Sequence, residues 1–175
     1  MERNANKTMH NELTEGDIRK MQEELDYRRI TLRPQLLEEV KTARAFGDLS
    51  ENFEYKAAKQ EKNRNESRIR FLENMIKTAV VVSDGSAGGG IGLYDKITLY
   101  LPEDDEEECF QIVSTMRQDV LSGLVSRESP VGRALLGRHV GDRVHIQVNE
   151  TVGYDAVIRN VEKGQDDGSI PLSGY

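Results

Sequence analysis

Two carboxylates stand three residues apart in the stretch FGDLSENFEY (46–55): Asp48 and Glu51. At that spacing both project from the same end of one helix. Their oxygens could share one Mg2+, whose other positions would go to water and phosphate. Such a half-site holds metal weakly by itself and needs a partner to supply the remaining ligands. The same pair also has a plain structural use. Gly47 suits the position that ends a helix. Asp48 suits the N-cap of the next, and Glu51 then falls at N3 to complete a capping box. Local spacing favours the cap and leaves both readings open.

A second set is basic. Lys41 and Arg44 precede the stretch, Lys56 and Lys59 follow it, and Lys62, Arg64, Arg68 and Arg70 lie beyond. On an exposed helix such charges are usually a solvated face. The alternative is a phosphate-tracking stripe with Phe53 and Tyr55 as base-stacking surfaces, although acidic neighbours dilute it.

Two helical patterns must position these residues. Thr14, with Asp17 three residues on, offers a helix start of capping-box type. From there Ile18, Met21, Leu25, Leu32, Leu36, Val40 and Ala43 recur at steps of three, four or seven, and Arg28 fills the skipped position. Pro34 removes a hydrogen bond and crowds the preceding turn. A local kink or bulge is expected there, because the stripe resumes in phase. The second pattern runs through Tyr55, Ala58, Lys62, Asn65, Ile69, Leu72 and Ile76. Two helices joined by a short connection run antiparallel. The first, from about Thr14 to Phe46, would reach ~45 Å. The expectation is a two-helix finger with GDLSEN at its tip.

After Lys77 the composition changes. TAVVVSD, DKITLYLP, CFQIVS, RVHIQV and YDAVIRNV read as strands, and the last two are joined by a hairpin near NETVG. Ser129 and Pro130 suit the cap and first position of a short helix. Residues 103–108 read as an acidic turn, residues 85–92 as a glycine-rich loop, and the residues after 163 as a flexible tail. The fold class is α+β, with a coiled-coil finger over 1–79, a compact domain over 80–163 and a tail over 164–175.

The 175 residues carry a net charge of -7, which argues against a protein coated in duplex DNA. The halves differ: residues 1–80 sum to +1 and residues 81–175 to -8. Cys109 is the only cysteine, so no internal disulfide and no Cys-based zinc site can form. His10, His139 and His145 lack metal-ligand spacing, and the glycine run contains no phosphate-loop motif. The N-terminal stretch has no apolar core, and no apolar run approaches the ~20 residues of a membrane helix. A soluble cytoplasmic protein without a self-contained active site is expected.

The stretch ARAFGDLSENFEYKAAKQE (43–61) resembles the tip and second-helix start of the Gre transcript cleavage (transcription elongation) factors, and is nearer GreA than GreB. MQEELDYRRITLRPQLLEEVKTAR is similar to their first helix, Pro34 included, and SPVGRALLGRHVGD (129–142) to the signature of their C-terminal domain. The resemblance spans residues 13–162. It implies an antiparallel coiled coil followed by an FKBP-like domain, and bacterial RNA polymerase as partner. The C-terminal domain would dock at the rim of the polymerase secondary channel, and the coiled coil would deliver its tip to the active site. Asp48 and Glu51 would there help to hold Mg2+ shared with the polymerase. The factor would stimulate the polymerase's own cleavage of backtracked nascent RNA without being an enzyme alone. Arg44 and Lys59 match the family's basic patch toward the RNA 3′ segment, and Tyr55 would pack or stack near the tip. The free protein is expected to be monomeric and not bound to membrane. The glycine-rich loop, the dense acidic segment and the tail depart from the family pattern. They leave open a paralogue that occupies the same channel and inhibits or modulates transcription without cleavage.

Overall fold

A computed structural model describes residues 12–45, 52–83 and 89–173. The chain forms two compact units, Ile18–Ala79 in one and Met1–Asp17 with Val80–Gly174 in the other.

The first unit is a helical hairpin. Helix α1 (Glu15–Tyr27) passes through a π turn (Arg28–Leu32) into α2 (Arg33–Arg44), and α3 (Phe53–Thr78) returns. The π turn is the bulge expected from Pro34. Proline at the second position of α2 has no N–H to give and would crowd the carbonyl of Ile30. The helix widens, so that the Arg33 N–H reaches the Arg28 carbonyl five residues back. The seam follows the sequence pattern: Met21, Leu25, Leu36, Ala43, Ile69 and Leu72 are buried, and Met75 joins them.

Ion pairs set the register. Arg29 meets Glu73, and Arg33 grips Glu66 through two 2.7 Å hydrogen bonds. The polar middle of the seam is specialised. Asn65, only 3% exposed, accepts from Arg28 Nη1 at 3.1 Å. Arg68 donates twice to Glu24, at 2.9 and 2.8 Å, and Arg28 donates to the same carboxylate at 2.7 Å. Burial pushes the Glu24 carboxyl up, but the hydrogen bonds and charges of Arg68 and Arg28 outweigh it and hold it below the usual glutamate value.

In the second unit a five-stranded sheet runs β5 (Leu124–Ser126), β4 (Glu106–Val113), β3 (Lys96–Leu101), β7 (Gly153–Glu162), β6 (Arg143–Gln147). Within this sheet the β4–β5 pair is parallel and the other three pairs are antiparallel. Alternation on β3 puts Ile97, Leu99 and Leu101 into the core, where Ile112, Ile146 and Ile158 meet them. Helix α4 (Pro130–Leu135) is capped by Ser129, whose Oγ accepts from Gly132 N at 3.0 Å. Gly132 has no room for a side chain, since a Cβ there would lie 2.2 Å from the Ser126 carbonyl.

Three expectations are corrected. The TAVVVSD run contributes β2 (Val80–Val81), which pairs with β1 (Glu12–Leu13) in a separate two-stranded sheet; the fifth strand of the main sheet is β5. Glu106–Glu108 belong to β4 rather than to an acidic turn, because they continue its ladder against β3. The finger does not begin at residue 1. Thr14 and Asp17 make the expected capping box, with reciprocal 3.1 Å hydrogen bonds, but both are fully buried in the sheet unit.

The residues after 163, expected as a flexible tail, pack on the sheet unit as irregular but tied chain. Gly164 N–H donates to Asp95 at 3.0 Å, Ile170 lies against the core, and Ser173 N–H donates to the Met116 carbonyl at 2.6 Å. The strongest tie is Arg117, whose fully buried guanidinium binds Asp166 from this segment and Asp17 from α1. Tyr94 lies 5.4 Å from that guanidinium, and burial pushes its hydroxyl up to about 12.

Candidate functional site

Residues 46–51, which join α2 to α3 in the chain, lie outside the described residues; the residues on either side are described. On the α2 side, Ala45 keeps helical backbone and its N–H reaches the Thr42 carbonyl at 3.0 Å. On the α3 side, Asn52 is the N-cap, in extended backbone, with its Oδ1 accepting from Tyr55 N at 2.9 Å. The same side chain donates through Nδ2 to the Ala43 carbonyl at 2.8 Å. Asn52 therefore satisfies an orphan donor of one helix and an orphan acceptor of the other.

This corrects the capping reading. The cap of α3 is Asn52, so Asp48 is not its N-cap and Glu51 is not its N3 residue. DLSEN holds three residue types that cap helices, Asp, Ser and Asn, and spacing alone could not choose among them. Asp48 and Glu51 themselves fall within residues 46–51, outside the described residues. Among the described residues, no group of three or more His, Cys, Asp or Glu side chains could hold a metal.

Arg44, the last residue of α2, is exposed, as is Lys59 on α3. Tyr55 is half-buried, and the Lys59 ammonium lies 5.9 Å from its ring centre. Phe53 is the more accessible ring, 81% exposed, with the Lys56 ammonium 5.6 Å from its centre. Among the described residues, the acids near the basic pattern line a groove or are paired. Glu54 lines a groove with Glu38, Glu39, Thr42 and Ala58, Glu61 pairs with Arg64 at 2.7 Å, and Glu66 is held by Arg33. Phe53, Lys56, Gln60 and Asn63 follow one another at steps of three and four, all exposed, and form a ridge without a carboxylate.

A helical hairpin and a mixed-sheet α+β unit, with two acids in the chain between α2 and α3, define a two-unit protein. Comparison with known proteins places it more closely. Residues 11–81 match the family model described as "Transcription elongation factor, N-terminal", and residues 86–163 match "Transcription elongation factor, GreA/GreB, C-term". The chain belongs to the GreA/GreB family of transcription elongation factors. It is 41% identical over 150 residues to transcription elongation factor GreA of Geobacillus kaustophilus, covering 85% of this chain and 93% of that protein. It is 39% identical over 151 residues to GreA of Bacillus licheniformis, covering 86% and 94%. Among solved structures, GreA factor homolog 1 (Gfh1) of Thermus thermophilus is 28% identical, covering 87% of this chain and 98% of that one, with a TM-score of 0.40. No helix among the described residues is long and apolar enough to cross a membrane.

Proposed function

We propose that this elongation factor stimulates the intrinsic RNA-cleaving activity of bacterial RNA polymerase on backtracked transcripts, in the cytoplasm and as a monomer. The observation that carries the reading is the hairpin itself. A 26-residue α3, ~39 Å long, begins directly after the stretch holding Asp48 and Glu51, and Asn52 clips α2 and α3 together at that end. A long two-helix arm buries little core for its length, so its length serves reach.

Asp48 and Glu51 supply oxygen donors of the kind a hard divalent cation takes, and the polymerase and the RNA phosphate would supply the rest. Bound there, Mg2+ would supply charge neutralisation and water activation for phosphodiester hydrolysis. The protein's own contribution is placement. Asn52 fixes the second edge of the turn, while Arg44 and Lys59 put positive charge beside the path of the extruded RNA 3′ segment. The factor is not a nuclease alone.

The test uses stalled, backtracked elongation complexes with labelled RNA. Addition of the protein should shorten the RNA from its 3′ end and restore elongation, while the protein with RNA and Mg2+ but no polymerase leaves the RNA intact. Hydrolysis without polymerase would refute the reading. Repression of transcription without cleavage would replace it with an inhibitory factor of the same channel.

A further inference from the structure

We infer that Phe53 is a nucleobase-stacking residue that grips the single-stranded RNA segment presented to the tip; this rests on the proposed cleavage-stimulating function. A phenyl ring 81% exposed at the first position of a helix buries little of its surface among the described residues. Its place is nonetheless fixed, because the cap immediately before it makes hydrogen bonds to both helices. The ring is thus held out on a rigid mount, which lowers the entropy lost on binding.

The surroundings select the partner. Lys56 stands 5.6 Å from the ring centre and Lys59 lies on the next turn, with the amides of Gln60 and Asn63 along the same exposed face. Cations beside an aromatic platform suit a strand whose phosphates and bases alternate, since any base has a face to stack. An apolar protein surface would gain nothing from the cations. The nearby Glu54 lines the groove with Glu38 and Glu39, and Phe53, Lys56, Gln60 and Asn63 themselves carry no carboxylate. Tyr55, the other aromatic at the tip, is half-buried and offers less face.

The experiment places 2-aminopurine in the extruded 3′ segment of a backtracked complex, whose fluorescence falls when the base stacks. It is run in an Asp48→Asn background, so that binding is read on uncut RNA, and cleavage is measured separately with the acids intact. The parent should quench the probe. Phe53→Ala should abolish the quench and raise the protein concentration needed for half-maximal cleavage about tenfold. Phe53→Tyr should restore both. Alanine suits an exposed helix position at least as well as phenylalanine, so loss of fold does not confuse the result. An unchanged quench in Phe53→Ala would overturn the inference. So would a matching loss of affinity for polymerase without RNA, which would assign the ring to a protein contact. If the wild type stimulates no cleavage at all, the functional reading fails instead.

Discussion

Arg117 and Asp166 are joined by two parallel hydrogen bonds of 2.7 Å, and the remaining Nε–H of Arg117 goes to Asp17 at 2.5 Å. One guanidinium, with no exposed side-chain surface, thus binds the first turn of α1 and the irregular segment after residue 163 to the same point of the sheet unit. Gly16 completes the fit, because a Cβ there would sit 1.9 Å from Asp166 Oδ2.

Removing Arg117 strands Asp17 as an unpaired buried charge. Arg117→Met should destabilise the sheet unit by about 3–5 kcal/mol. Asp166→Asn leaves the Asp17 pair in place and should cost about 1–3 kcal/mol. Urea denaturation of the two variants checks the order. No loss in Asp166→Asn would mean that the segment after residue 163 adds nothing to the site.

Asn52 is predicted to matter more than its surface position suggests. Asn52→Ala loses the cap and the bond to Ala43, and should lower hairpin stability by about 1–2 kcal/mol. Asn52→Asp keeps an acceptor for the Tyr55 N–H but has no donor for the Ala43 carbonyl, so its loss should be intermediate. Thermal unfolding followed by circular dichroism ranks the three proteins.

The hairpin should weaken in acid. Glu24 is held below its usual value in the folded state by Arg68 and Arg28, against the effect of burial. Its stabilising contribution is therefore complete above the unfolded glutamate value near 4.5 and is lost as pH falls through the lower folded value. Denaturation midpoints taken from pH 7 to pH 3 should fall over that window, and Glu24→Gln should flatten this part of the decline.

His145 gives the opposite sign. Hydrogen bonds to Asp155, at 2.7 Å, and to Gln147, at 3.0 Å, raise its value above 6.5. Whatever it contributes is present below 6.5 and fades as pH rises through the folded value. Its imidazole titration, followed by NMR, should move down on Asp155→Asn.

Much of this architecture is legible in the sequence because it is local. The Thr14–Asp17 box, the seam from Met21 to Leu72 and the bulge before Pro34 depend on neighbours within a turn or two. What escaped depends on distance. Asp17 has its second partner 100 residues away in Arg117, and Asp166 sits in a polar run whose composition resembles disorder until a buried guanidinium is placed beside it. Strand β5 is three residues long and shows no alternation. At the tip the residue types were visible but their roles were not. DLSEN offered several caps, and the structure chose Asn52 through its bond to a carbonyl on the other helix. The basic stripe looked diluted because sequence shows the acids without showing which way they face.

With Asn52 as cap, Asp48 is relieved of that duty, and replacing its carboxylate tests chemistry rather than folding. The most direct measurement is the single-turnover rate of RNA cleavage in backtracked complexes with wild-type protein and with Asp48→Asn, each at saturating concentration. The account predicts unchanged thermal stability and a rate reduced by roughly 100-fold, comparable with losing a residue that supports a catalytic metal. Equal cleavage rates for the two proteins would contradict it.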